Sequence, residues 1–325
     1  MLIVLATSPR VAPGLLSWDA WQALRSAAAV LAPAGHPQLP ALGEAGIGYR
    51  IADPADDADQ ASWPADVARL AAGQEGTAVW LAPPGDDPPV PPGARLLRGS
   101  ADLPGAHLLD LVQTMDRLRR KCPWDIRQTH ESLAPYLLEE PYEALDALES
   151  GDQEAFREEL GDVLLQVAFH ARIAAEREDG TGYTIDDVAD GIVAKLVRRH
   201  PHVFADVSVS GADEVTRNWD DIKKEEKKLK AERAGASAVA EVPSAIDGVP
   251  LGQPALSLAA QLQRRAERAG VPGDLEPVPE DDPGGIGRDL FRLVARARAA
   301  GRDPETELRA VARRYRDLVR EWERA

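Results

Sequence analysis

Two sets of acids on consecutive helical stretches constrain this chain more than any other feature. The segment from Leu137 to Gln166, "LLEEPYEALDALESGDQEAFREELGDVLLQ", carries Glu139, Glu140 and Glu143, then Glu159 and Asp162 with Glu158 beside them. Residues three and four apart share a helix face. Glu139 and Glu140 therefore lie on one edge with Glu143, which Asp146 extends, and Glu159 pairs with Asp162. Leu138, Tyr142 and Leu145 border the first set; Leu160, Leu164 and Val167 border the second. The intervening "ESGDQ" reads as a turn, so the two helices fold back antiparallel and present the acids to each other.

Like charges this close cost a few tenths of a kcal/mol each (roughly 0.2–0.5) on an exposed helix, and more where they are partly buried. A hard divalent cation such as Mg²⁺, which prefers carboxylate oxygens, offsets that cost. No His/Cys cluster accompanies the acids, so a structural zinc site does not fit. One Glu-x-x-Glu pair alone would read as a solvated face; two sets on consecutive, apolar-bordered helices weigh against that reading.

The 325 residues suffice for two or three domains. Residues 1 to 100 read as a small α/β domain. "LIVLAT" and "TAVWLAP" have strand length, while "WDAWQALRSAAAVLA" and "ASWPADVARLAAG" have helical spacing; a proline-rich loop follows at 82–96. From His107 onward the pattern is helical, as in "HLLDLVQTMDRLRRK", and Thr129 suits the N-cap of the first acidic helix. "NWDDIKKEEKKLKAER" reads as an exposed charged helix. The organisation expected is thus 1–100, a helical domain over 105–232, a linker at 233–250 and a second helical domain over 251–325. "EELGDVLLQVAFHAR" (158–172) also aligns with "GGIGRDLFRLVARAR" (284–298), pairing Gly161 with Gly287 and Leu164 with Leu290. The acids are lost there: Gly285 replaces Glu159 and Arg288 replaces Asp162. This reads as a duplicated unit whose second copy lost its charges.

A net charge of −16 disfavours a nucleic-acid polymer as partner. No run has the roughly 20 apolar residues of a membrane helix. "MLIVLATSPR" reads as a first strand, not a leader, and the single Cys122 suits a reducing cytoplasm.

The pattern Glu-Glu-x-x-Glu, a gap, then Glu-x-x-Asp resembles the signature of the MazG nucleotide pyrophosphohydrolases. "CPWDIRQTHESLAPYLLEEPYEALDAL", "EELGDVLLQVAFHARIA", "KLVRRHPHVF" and "NWDDIKKEEK" resemble blocks of that family in family order. The resemblance spans about 105–325. It implies a mainly α enzyme of helical-bundle units, dimeric or higher, behind the small α/β domain. It implies Mg²⁺-dependent hydrolysis of nucleoside triphosphates, ribo or deoxy, to monophosphate and pyrophosphate, with Mn²⁺ as a substitute. Glu139, Glu140, Glu143, Glu159 and Asp162 become the metal set, and Lys195 and Arg199 match positions expected to hold phosphate oxygens. Pro141 departs from the family pattern, and a kink near Leu137 is expected from it. The first hundred residues resemble a reduced tetrapyrrole-methylase-like segment, too short for a complete methyltransferase.

Trp124 and Trp219 carry rings that can stack on a base, and packing accounts for them equally well. Cys122 reads as a loop residue, and His200 as a helix-end residue. The rival class is a non-catalytic helical interaction protein whose acids are surface charge. Retention of a full acid set in one copy and its loss in the other argues against it.

Overall fold

A computed structural model describes residues 1–52, 67, 69, 72, 76–85, 88–205, 207–211, 214–215, 218–219, 222, 225–226, 244–272, 275 and 284–325. Most of "ASWPADVARLAAG", most of "NWDDIKKEEKKLKAER" and the larger part of the expected linker lie outside the described residues. The chain divides into two compact units, 1–215 and 216–325.

The first unit opens with a parallel sheet. Its elements are β1 (Leu2–Ala6), α1 (Trp18–Ser26), β2 (Ala29–Ala32), α2 (Leu39–Glu44), β3 (Arg50–Ile51), β4 (Ala78–Leu81) and β5 (Arg95–Arg98). The strand order is β3-β2-β4-β1-β5, with every pairing parallel. Side chains alternate between faces along a strand. Leu2 and Val4 accordingly join Leu31 and Trp80 in one core, while Ile3 and Leu5 join Leu24, Leu42, Val30 and Leu81 in the other. Burial on both faces is what a parallel sheet requires, and it explains the unbroken apolar runs of β1 and β4.

One expectation is corrected here. "WDAWQALRSAAAVLA" is not a single helix: α1 stops at Ser26, Ala27 is extended, and the following alanine-rich stretch becomes β2. Its backbone is hydrogen-bonded into the sheet on both sides, between β3 and β4. Complete burial of all four residues outweighs the helical preference of alanine. The end of the proline-rich loop likewise runs into β5, an edge strand.

The rest of the first unit is helical: α3 (His107–Lys121), a single 3₁₀ turn (Asp125–Arg127), α4 (His130–Ser150), α5 (Gln153–Ala174), α6 (Ile185–Arg199) and the short α7 (Pro201–Phe204). Arg10, just after β1, binds Asp110 in the first turn of α3 at 2.7 Å and also pairs with Asp102. Thr129 caps α4 as expected, in a reciprocal box with Ser132. Pro135 and Pro141 lie inside α4, which continues through both.

Met115, Leu133, Ala168 and Phe169 form the core where α3, α4 and α5 meet. Beside it, Arg119 donates two hydrogen bonds to the Glu176 carboxylate, at 2.8 and 2.9 Å, and one to the Gln128 carbonyl at 3.0 Å. Arg172 binds Asp116 at 3.0 Å and Glu176 at 3.1 Å.

The second unit contains α8 (Ala255–Arg268), α9 (Ile286–Ala299) and α10 (Pro304–Glu323), with Ala260 and Val294 buried between them. Gly285 precedes α9 in the left-handed conformation, whereas Glu159 lies well inside α5. The aligned segments thus begin at different points of their helices.

Arg119 ties three elements with a planar, forked group that an ammonium does not reproduce. Arg119→Lys should therefore cost about 1–3 kcal/mol, read as a lower denaturation midpoint of the first unit. A midpoint equal to wild type would show that the fork contributes nothing.

Candidate functional site

The acids are positioned by the hairpin of α4 and α5. Gly151 takes the left-handed conformation that closes α4, with φ of 81°, and Asp152 caps the first amides of α5. The chain reverses there, and α5 packs along the length of α4. Contacts along the pair fix the register. Leu133 shares a core with Phe169, His130 meets His170, and Glu140 meets Glu159 and Asp162. Each step forward on α4 is matched by an equal step back on α5.

Carboxylate oxygens of Glu140, Glu159 and Asp162 lie within 4.8 Å of one another. Glu140 and Glu159 are half-buried and Asp162 is exposed. Burial raises the pKa of Glu140, and the charges of Asp162, Glu143, Glu139 and Glu159 add to it. Burial likewise raises that of Glu159, followed by Glu143, Asp162 and Glu158. Of the five acids singled out from sequence, three thus form the tight group. Glu139 and Glu143 are exposed and stand at its rim, close enough for their charge to act on it. A compact all-oxygen donor set of this kind fits a hard cation such as Mg²⁺, which keeps further positions for water or phosphate oxygens. It does not fit a softer ion that prefers sulfur or nitrogen.

The remaining candidates are placed as follows. Lys195 is exposed on α6, and Arg199 is partly exposed in its last turn; α6 packs on α5. Neither belongs to the carboxylate group. Trp124, at the start of the 3₁₀ turn, sits edge-on to Tyr136 at 6.4 Å and tilted against Phe169 at 6.3 Å. Trp219 lies in the second unit. His200 closes α6, its Nδ1 at 2.7 Å from the Leu196 carbonyl oxygen.

Sequence reasoning passed over His130, His170 and Gln166. The two imidazoles meet Nδ1 to Nδ1 at 2.7 Å, with ring planes 3° from parallel. Such a contact holds one proton between the rings, so one Nδ1 donates and the other accepts. Burial lowers the His170 pKa, and His130 lowers it further. The signal for this pair was the hairpin itself: counted outward from Glu140 and Asp162, the two helices arrive together at histidines.

Residues 128–204 match the model of the MazG nucleotide pyrophosphohydrolase domain. The chain is 50% identical to an uncharacterized 26.1 kDa protein of Streptomyces cacaoi, over 70% of this chain and 88% of that one. It is 37% identical to a Thermotoga maritima protein named nucleoside triphosphate pyrophosphohydrolase/pyrophosphatase MazG, over 66% of this chain and 84% of that one. A nucleoside triphosphate pyrophosphohydrolase of Mycolicibacterium smegmatis is 44% identical over 72% of this chain, which spans only 64% of that relative's length.

Two outcomes are expected. Mg²⁺ in large excess over its Kd should stabilise the protein by about 2–3 kcal/mol, seen as a rise in melting temperature that EDTA reverses. Glu159→Gln should melt higher than wild type in EDTA and lose most of the response to Mg²⁺. An unchanged response in that variant would remove Glu159 from the ligand set. The second outcome concerns pH. A histidine whose folded pKa lies below its unfolded value contributes stability that is complete above about pH 6.5 and is lost as the pH falls through the folded value. Melting temperature should therefore drop between about pH 7 and pH 5.5, and His170→Asn should flatten part of that drop. His36, whose pKa burial also lowers, titrates in the same window in both proteins, so the difference between them is the readout.

Proposed function

The chain belongs to the MazG family of nucleotide pyrophosphohydrolases, and on that footing we propose that it hydrolyses nucleoside triphosphates to monophosphates and pyrophosphate. The observation that carries the reading is the group of Glu140, Glu159 and Asp162 carboxylates gathered across one helical hairpin. These three, with Glu139 and Glu143 at the rim, would hold Mg²⁺, with Mn²⁺ as a substitute. When bound, the cation supplies charge neutralisation for the triphosphate and acidifies a water. One carboxylate of the set takes the proton of the attacking water. The water oxygen forms a bond to the α-phosphorus, the bond from that phosphorus to the bridging oxygen breaks, and pyrophosphate leaves with the electron pair. Lys195 and Arg199 neutralise the charge that develops on the leaving group, and Trp124 serves the nucleoside. The biological role that follows is removal of non-canonical or damaged triphosphates from the cytoplasmic nucleotide pool.

The catalytic domain in this reading is 105–232, with 251–325 a second MazG-type unit that has lost its acids and 1–100 a small α/β domain to which no activity is assigned. A homodimer or higher homo-oligomer completes it. In the single chain α6 buries none of its residues, and Val188, Ile192, Val193, Leu196 and Val197 are all exposed. Such a surface suits a partner copy. Among the described residues no helix is long and apolar enough to cross a membrane.

Turnover should vanish in EDTA and return with Mg²⁺. Glu159→Gln and Asp162→Asn should each lower kcat by at least about a hundredfold, comparable to loss of a main electrostatic contributor. Hydrolysis in ¹⁸O-labelled water should place the label in the monophosphate. Label in pyrophosphate, or orthophosphate as the first product, would mean that attack occurs elsewhere in the triphosphate.

A further inference from the structure

Gln166 lies one helical turn beyond Asp162 on α5, about 6 Å along the axis. It is only 5% exposed, and its Oε1 is buried with no hydrogen-bond partner among the described residues. An unpaired buried amide oxygen costs about 1–3 kcal/mol, and an apolar side chain of the same shape would escape that cost. The core where α3, α4 and α5 meet, Met115, Leu133, Ala168 and Phe169, is apolar.

The hairpin register locates this group. Glu140 faces Asp162 and Leu133 packs with Phe169, so Gln166 falls between them, at the level of Tyr136 and Leu137 on α4. Tyr136 is 40% exposed and Trp124 46% exposed, and the two rings meet at 71°, forming an open aromatic corner. The same stripe of α5 continues to His170, whose Nε2 is also buried without a partner among the described residues.

From this juxtaposition we infer that Gln166 is a specificity-determining residue that reads the nucleobase. The inference rests on the nucleotide reading of the acid cluster given above. In a nucleoside triphosphate a single sugar separates the α-phosphate from the base. A triphosphate held at the acids therefore brings its base to the next turn of the hairpin. There the rings of Trp124 and Tyr136 offer apolar flanks, and a base that displaces the packing over Gln166 meets an amide with one acceptor and two donors. The cost of leaving the amide unpaired in the free protein is recovered only when a base of matching edge is bound. A base that cannot match leaves the amide buried and unpaired, which is the stronger source of discrimination.

The test is calorimetric titration of the full chain, with Mg²⁺, by AMP, GMP, CMP, UMP and inorganic pyrophosphate, in wild type and Gln166→Met. The variant should bind the preferred monophosphate about five- to tenfold more weakly, the loss of one hydrogen bond. The spread among the four bases should narrow, pyrophosphate binding should not change, and the melting temperature should be equal or higher. Three results would each overturn the inference: equal wild-type affinity for all four bases, an equal loss for pyrophosphate, or an unchanged spread in the variant. Gln166→Glu, which keeps the shape and replaces the donors with an acceptor, should reorder the base preference, and an unchanged order would also count against it. The two readings fail separately: absence of pyrophosphate release from every triphosphate removes the reaction, while monophosphate binding still decides the subsite.

Discussion

Everything at the site depends on one opposition, the packing of α4 against α5 set against the repulsion of the acids they carry. Leu133 with Phe169 at one end, and Ala144 and Ala147 toward the other, bury enough apolar surface to hold the two helices in register. That register forces Glu140, Glu159 and Asp162 together whether or not a cation is present. The core thus brings like charges close, and burial first, then the neighbouring carboxylates, raise the pKa of Glu140 and Glu159. A cation would meet such a site already assembled, because the unfavourable part of assembly is met by hydrophobic burial elsewhere.

The supports of this hairpin are themselves electrostatic. Arg119 and Arg172 converge on Glu176, just past the end of α5, and Arg172 also reaches back to Asp116 on α3. Arg10 connects the end of β1 to the start of α3. Charges of opposite sign bind the framework, and charges of like sign are gathered where chemistry is proposed. The same residue types serve both purposes, and what separates them is the partner each meets.

Much of this was legible in the sequence, for physical reasons. Helical spacing of apolar residues marked α3 to α6, and the capping preference of Thr129 marked the start of α4. Continuous apolar runs marked β1 and β4, because a strand buried on both faces has no polar side to show. β2 was not legible, since "AAAVLA" satisfies a helix locally and only its neighbours in the sheet make it a strand. At the site, the spacing of the acids identified which groups share a face. It did not reveal that three of them close into a tight group while Glu139 and Glu143 stay at the rim. That division depends on the rotation of each helix about its axis, which the core sets. Gln166 and the histidine pair were hidden for a similar reason: a glutamine within an apolar run looks like a surface residue until its burial is known.

The hairpin's closeness in sequence has a consequence for how the molecule comes to be. Glu140 and Asp162 are separated by one tight turn, whereas β1 must find β4 across the span from residue 2 to residue 78. Loop closure costs less for near neighbours, and structures built from local contacts form faster than those built from distant ones. The carboxylate group can therefore assemble on the nascent chain as soon as α5 has emerged, independently of whether the sheet has found its strand order. A cation present at that stage would act on folding as well as on the folded state, drawing the hairpin shut against the repulsion that otherwise slows its closing.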